Sequence, residues 1–260
     1  MSSTGIPSKR CLNGPAIIGA GWLGRELASH WASLHPRLTT TTPEKLASLS
    51  DQGFSSVELF CLGQDLPESL QSTRQLVLNV PPRPEHPEQL KRLLDQLPQL
   101  QRLVFIGSTS VFGNHQGDVF EDTPPEPEKE NGHILLQCEQ LLKSRLGDRL
   151  TVLRCAGLVG EDRHPLKHFQ GRTNIPGGLN LVNMIHRNDV IRWIDWIFSQ
   201  DRFGLTIHAV HPEDLSKQDY YAKSARIRGG DEPIFAMTNT PHKRVRSRLV
   251  DTFPSYTSIL

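Results

Sequence analysis

The sequence is short of cysteine, of long apolar runs, of excess charge and of internal repeats, and each shortage removes a class of protein. Its four cysteines, Cys11, Cys61, Cys138 and Cys155, stand far apart with no Cys-x-x-Cys pair. That argues against a metal site or a disulfide framework and fits a reducing cytoplasm. No apolar stretch reaches the roughly 18 residues that a membrane span requires. The opening MSSTGIPSKRCLNG lacks the apolar centre of a signal peptide, so residues 1–14 read as a flexible leader. A formal net charge of +1 leaves no footprint for nucleic acid or for an anionic membrane. The basic run at 242–246 and the acidic loop at 118–130 offset one another, and both read as solvated surface.

What is present is enough for a full core. The 260 residues are 37% hydrophobic and 22% charged, which suits one large domain or a domain with a smaller lobe. Apolar, β-branched runs predict strands at 15–18, 38–42, 57–61, 75–80, 103–106 and 150–153. Between them lie helical patterns: Leu23, Leu27 and Trp31; PEKLASL with proline in its first turn; Leu90, Leu93, Leu94 and Leu97; and ENGHILLQCEQLL from Glu130. Strand alternating with helix predicts an α/β fold, a Rossmann-type doubly wound parallel sheet, over residues 15–160. Residues 161–260 are rich in glycine and proline loops, with helices expected near 190–198 and 216–227. We expect this part to return to the core and form a small substrate lobe over the carboxyl ends of the strands, where ligands bind in such sheets.

Gly19-Ala20-Gly21-Trp22-Leu23-Gly24 follows the first expected strand and opens the first helix. A bare GxGxxG says little, but here it has the strand–turn–helix setting that gives it meaning. Gly19 permits the tight turn, Gly21 lets a pyrophosphate approach the backbone, and Gly24 lets the helix pack close to the strand. The first amides of the helix, at Trp22 and Leu23, face the phosphates. An acid at the tip of the second strand would accept hydrogen bonds from a ribose 2′-hydroxyl. This chain has Thr39-Thr40-Thr41-Thr42 instead. Hydroxyls of Thr40 and Thr41, with Lys45 or Arg25 near, suit a 2′-phosphate, so NADP is preferred over NAD, with NAD kept open.

Gly107-Ser108-Thr109-Ser110-Val111-Phe112-Gly113 follows the fifth strand, and an acidic Glu-Asp-Thr-Pro loop precedes a helix ending Glu139-Gln140-Leu141. Further on come LRCAGLVG at 153–160 and Asn183-Met184-Ile185-His186-Arg187-Asn188-Asp189. In this order the motifs resemble the short-chain dehydrogenase/reductase superfamily, in its extended, sugar-nucleotide epimerase-like branch, over roughly residues 15–198. The details IIGAGWLG, NVPP at 79–82 and RHPL are nearest an atypical, YeeZ-like group. The resemblance implies that Val80, Pro81 and Leu158 line the dinucleotide site and that Ser108 orients the substrate oxygen. It implies that Asp189 caps the helix after it, and that His186 either lines the cleft or packs in the core.

The family's Tyr-x-x-x-Lys pair is missing. Aligned on Glu139-Gln140-Leu141, Asn131 falls in the tyrosine position and Leu135 in the lysine position. An asparagine bonds but has no usable pKa. His133 lies about 200° round the helix from residue 131 and faces away. Phe112 has no hydroxyl, and Tyr220 and Tyr221 read as packing or surface residues.

Two functions remain open. One is an NAD(P)-dependent oxidoreductase or epimerase-like enzyme on an unidentified carbonyl or sugar-nucleotide-like substrate. Ser108 would be catalytic, Asn131 or His186 would assist, and Asn183, Lys243 and Arg244 would contact substrate. The pair Lys243-Arg244 would suit an anionic group such as a phosphate, or is plain exposed charge. The other is a catalytically inactive NAD(P)-binding sensor or regulatory module. Either is expected as a cytoplasmic monomer or homodimer, with no metal, nucleic acid or membrane partner.

Overall fold

Short apolar runs set the course of the chain in the structure, a computed structural model that describes residues 14–260. Its strands are β1 (Ala16–Ile18), β2 (Arg37–Thr40), β3 (Val57–Leu59), β4 (Gln75–Leu78), β5 (Arg102–Ser108), β6 (Gly117–Val119), β7 (Leu150–Cys155), β8 (Gly157–Val159), β9 (Met184–His186), β10 (Thr206–Ala209) and β11 (Lys243–Val245). The α-helices are α1 (Trp22–His30), α2 (Pro43–Asp51), α3 (Glu68–Gln71), α4 (His86–Asp95), α5 (Glu130–Leu146), α6 (Arg187–Ser199) and α7 (Lys217–Arg228).

Seven strands form one sheet in the order β10-β7-β5-β4-β1-β2-β3, every pair parallel. β1 and β7 are buried along their whole length, as expected of strands covered by helices on both faces. The strand order reverses between β1 and β4, which opens a crevice outside their carboxyl ends. All six expected strands are present, and β10 is a seventh. β2 stops at Thr40, because Thr42 turns to cap α2 and accepts a bond from the Lys45 amide at 3.4 Å.

α5 buries Gly132, Leu135, Cys138, Glu139, Leu142 and Leu146 along one stripe. Glu139 meets Arg154 of β7 in an ion pair whose side chains are 2% and 5% exposed. Nε of Arg154 lies 3.1 and 3.2 Å from the two carboxylate oxygens and Nη2 lies 2.7 Å from Oε2. Gly107 makes room for this pair: a Cβ there would come 3.1 Å from Glu139 Oε1.

Two expectations need correcting, and a third falls outside the described residues. Asp189 does not cap α6: the helix begins at Arg187, and His186 caps it by accepting the Asn188 amide at 3.2 Å. Asp189, fully buried, instead accepts the Thr257 amide at 2.8 Å and pairs with Arg192 at 2.8 Å. The acidic loop and the basic run are not two separate solvated surfaces. β11 pairs with β6, Arg244 and Arg246 reach Asp118 at 3.5 and 4.0 Å, and Glu121 accepts from Ser247 Oγ and the amides of His208 and Arg248. Finally, the leader expected over 1–14 lies outside the described residues except for Gly14, as does Cys11. Gly14 is packed, since a Cβ on it would meet Leu34 O at 1.9 Å.

A second apolar cluster, separate from the sheet's core, gathers Val159, Leu166, Leu215, Tyr220, Tyr221, Phe235 and Ile259. It underlies the C-terminal part of the chain. Among the described residues no helix is long and apolar enough to cross a membrane.

Candidate functional site

The glycine turn stands at the mouth of the crevice, and its neighbours dictate its shape. Gly19 adopts φ +100°, a conformation that side chains rarely take, and a Cβ on it would lie 2.0 Å from Asn79 O. Asn79, just past β4, donates its side-chain amide to Gly19 O at 3.0 Å. From the other side Thr39 accepts the Gly19 amide through its hydroxyl at 3.2 Å and the Ala20 amide through its carbonyl at 2.8 Å. Gly24 abuts the turn, with a Cβ placed 2.3 Å from Gly19 O. Gly21 is different: nothing lies within 4 Å of a Cβ built on it. No side chain caps the amino end of α1 and no acid stands in its first turn. The open face at Gly21 and the amides that begin α1 at Trp22 and Leu23 therefore fit a pyrophosphate.

Around that turn the other expected cofactor residues take distinct places. Thr40 is buried and its carbonyl accepts the Phe60 amide, while Thr41 is exposed just beyond β2. Val80 is half-buried and Pro81 exposed where the chain leaves β4, and Leu158 is half-buried in β8. Trp22 ties the turn to the loop after β8. Its indole N–H donates to both oxygens of Asp162 at 2.9 and 3.0 Å, which holds that carboxyl below its ordinary range. The guanidiniums of Arg187 and Arg163 lie 4.4 and 5.0 Å from the ring centroid.

Ser108 is the last residue of β5, the third strand in from the β10 edge and next but one to β1 in the sheet. Its Oγ accepts the Ser110 amide at 3.1 Å, capping a 3-10 turn over Thr109–Phe112, and its own O–H stays free to donate. α5 comes so close to this turn that a Cβ on Gly132 would lie 2.9 Å from Ser110 O. Asn131 is exposed, with no hydrogen-bond partner for its side chain among the described residues, and Leu135 is 5% exposed in the core. His133 lies on a separate cavity of about 620 Å³ with Asn114, His115, Glu126 and Glu128.

The four expected substrate residues divide into two pairs. Asn183 and Lys243 line one cavity of about 270 Å³, together with Gly113, Asn114, Lys217 and Tyr221. Asn183 clamps β11 on both sides of residue 244, donating to Lys243 O at 3.0 Å and accepting the Val245 amide at 2.7 Å. Lys243 Nζ donates to Gly113 O at 2.9 Å, and burial pulls its pKa down. Burial pushes the Tyr221 phenol up to about 12, so it can donate a bond but does not ionise near neutrality. His186 and Arg244 are not among the lining residues. His186 is 4% exposed, with Nε2 3.4 Å from Glu161, and Arg244 turns to Asp118 and Asp214 at 3.5 and 3.2 Å. Sequence reasoning missed Asn79, Lys217 and Asn114; only Asn79 carried a local signal, as the polar residue that opens the NVPP segment just past the fourth strand.

No family model matches the chain. It is 32% identical over 236 residues to Protein YeeZ of Escherichia coli strain K12, covering 85% of each chain. Among solved structures it superposes on a conserved protein of unknown function from Silicibacter pomeroyi with a TM-score of 0.75 at 21% identity, covering 92% of this chain and 91% of that one. It also superposes on a UDP-glucuronic acid 4-epimerase from Bacillus cereus in complex with NAD, TM-score 0.72 at 19% identity, covering 95% and 94%. At these identities the structural likeness is one of fold: a Rossmann-like α/β fold with a parallel central sheet.

Proposed function

This chain belongs to the YeeZ family, and on that footing we propose that it is an NAD(P)-dependent oxidoreductase or epimerase-like enzyme acting on a carbonyl or alcohol carbon. The observation that carries the reading is the pairing of an open phosphate turn at Gly21 with a hydroxyl at the tip of β5. Both lie at the carboxyl end of one parallel sheet, with only β4 between their strands. A bound nicotinamide dinucleotide supplies the two-electron oxidation or reduction. The chain's own part is to hold it at Gly19, Gly21, Trp22, Leu23 and Gly24 and to polarise the substrate oxygen with the Ser108 O–H. Asn131 can add a second donor, but it cannot give up a proton. The proton that completes an alcohol then has to come from solvent, since neither Ser108 nor Asn131 is a titratable group near neutrality. Asn183 and Lys243 serve the substrate from the lobe.

NADP is the form we assign. β2 ends at Thr40 and is followed by Thr41, Thr42 and Pro43, so no carboxylate stands there to repel a 2′-phosphate or to bond a 2′-hydroxyl. Lys45 is exposed in the first turn of α2, past Glu44, which is exposed in the same turn.

Titration with NADPH and NADH, followed by cofactor fluorescence, tests the binding; failure of both to bind removes the whole reading, and tighter binding of NADH removes the NADP assignment. A screen of aldehydes, ketones and sugar nucleotides for NAD(P)H oxidation then tests the chemistry. Loss of an oxyanion-type donor costs about 10²–10³ in kcat, so Ser108→Ala is expected to fall by that factor. Turnover indifferent to Ser108→Ala would remove Ser108 from the site.

A further inference from the structure

We propose that the lobe cavity beside Gly113 is an anion subsite that takes the carboxylate or phosphate of the substrate between Lys217 and Lys243. The inference rests on the oxidoreductase reading above and names its substrate class. The cavity's lining holds two lysines and His242 and no acid. Gly113 closes the 3-10 turn that Ser108 begins, so the cavity opens one turn from the hydroxyl assigned to the reacting oxygen.

Lys217 is the first residue of α7, and its ammonium has no hydrogen-bond or ion-pair partner among the described residues. A cation there is opposed by the helix dipole by about 0.3–1 kcal/mol, and an anion bound beside it would meet the ammonium alone, since the amides of Lys217, Gln218 and Asp219 already donate to Asn180 O, Gly178 O and Ser216 Oγ. The acid of that turn, Asp219, is engaged with its own cap: Ser216 Oγ donates to it at 2.7 Å. Lys243 uses one of its three N–H groups on Gly113 O and keeps two, while Asn183 fixes its strand from both sides. Glu128 and Lys129 are the charges next to Lys243 outside the lining, and they oppose one another. Burial disfavours the lone ammonium of Lys243, a cost that a bound anion removes.

Size limits the ligand further. The cavity's 270 Å³ falls below the ~300–1,000 Å³ of pockets that enclose drug-sized ligands. A carboxylate or phosphate end group fits it, and since Ser108 is not in its lining the reacting carbon lies outside the cavity.

The test uses the intact protein biosynthetically labelled with ¹³C,¹⁵N-lysine, whose Cε and Nζ resonances are read with every ammonium N–H in place. Lys217→Gln and Lys243→Gln assign the two resonances. Inorganic phosphate and acetate are titrated separately with NADP⁺ present, against chloride at equal ionic strength. Saturable shifts of both resonances are expected with at least one of the two anions and none with chloride; which anion acts distinguishes a phosphate from a carboxylate substrate. Lys217 is half-exposed, so Lys217→Gln is expected to fold and to weaken the anion about tenfold, the loss of one charged hydrogen bond. Shifts no larger than those in chloride, or an affinity unchanged in Lys217→Gln, would overturn the subsite. If NADP⁺ binds while the shifts fail, the subsite alone falls; if NADP⁺ does not bind either, the oxidoreductase reading falls with it.

Discussion

Gly21→Ala separates the fold's need for glycine from the cofactor's need for it. At this position φ is −80° and ψ is −156°, a backbone open to any residue, and the added Cβ meets nothing within 4 Å. The loss of a favoured helix-cap residue costs a few tenths of a kcal/mol or somewhat more. The stiffer unfolded chain returns about 0.4–1 kcal/mol, so stability should change by no more than about 0.5 kcal/mol. The cofactor experiences something else. If a pyrophosphate rests against this backbone, the methyl occupies the space it needs, and overpacking of that kind costs about 1–3 kcal/mol, or about 5–150-fold in Kd. Gly24→Ala is the contrasting control: its Cβ would lie 2.3 Å from Gly19 O, so α1 must move off β1 and stability itself should drop by about 1–3 kcal/mol. Urea denaturation and NADPH fluorescence titration on the same preparations read the two quantities. An unchanged NADPH affinity in Gly21→Ala would refute the turn as the phosphate site, even if NADPH binds elsewhere.

The buried Glu139–Arg154 pair predicts that Glu139→Gln costs about 3–5 kcal/mol in urea denaturation, because an unpaired guanidinium is left in the core. The double change Glu139→Leu with Arg154→Met should recover most of that loss, and equal costs for the single and double variants would contradict it. Acid stability depends on His164 and His208, whose pKa values burial lowers from 6.5 to about 4. His164 Nδ1 accepts the Leu166 amide and its Nε2 faces the Tyr220 hydroxyl at 2.7 Å, so the fold holds it neutral. Both stay neutral folded and bind protons near 6.5 unfolded, so their contribution is complete above about pH 6.5 and lost as pH falls toward 4. The amplitude is about 3 kcal/mol for each. Denaturation curves from pH 7 to 4 should show that slope flattened in His208→Gln and in His164→Gln, and parallel slopes in all three proteins would refute it.

How much of this was legible in the sequence depends on how local each cause is. Of the six expected strands, β1, β4, β5 and β7 are largely apolar runs that the sheet buries, so their composition announces them, while β2 (RLTT) and the partly exposed edge strand β3 (VEL) are announced by β-branched and apolar residues within short runs. β10 reads Thr206-Ile207-His208-Ala209, and its half-polar pattern gives no such signal until β7 lies beside it. β6 and β11 are three residues each, GDV and KRV, and become strands only by pairing across more than a hundred positions. That hidden strand is why Lys243-Arg244 misleads when read as one basic unit. Successive side chains of a strand point to opposite faces, so Lys243 enters the cavity with Asn183 while Arg244 goes to Asp118 and Asp214. The glycine turn was legible because its chemistry lies within six residues. Lys217 was not, since only the closure of the lobe brings α7 to β11.

The helix at 130–146 shows the same division within one element. Positions 131 and 135 are one turn apart and share a face in any helix, yet one is exposed and the other is core. α5 crosses from solvent into the protein within that turn, and Gly132 lets it do so by lying against Ser110. A lysine at 135 would have to carry its charge to the cleft from a buried position. With leucine there instead, the apolar stripe runs from Leu146 up to Leu135 and stops one turn short of the mouth. α5 thus frames the tip of β5 without a titratable side chain at 131 or 135, and the polar groups proposed to act on a substrate come from β5, α7 and β11.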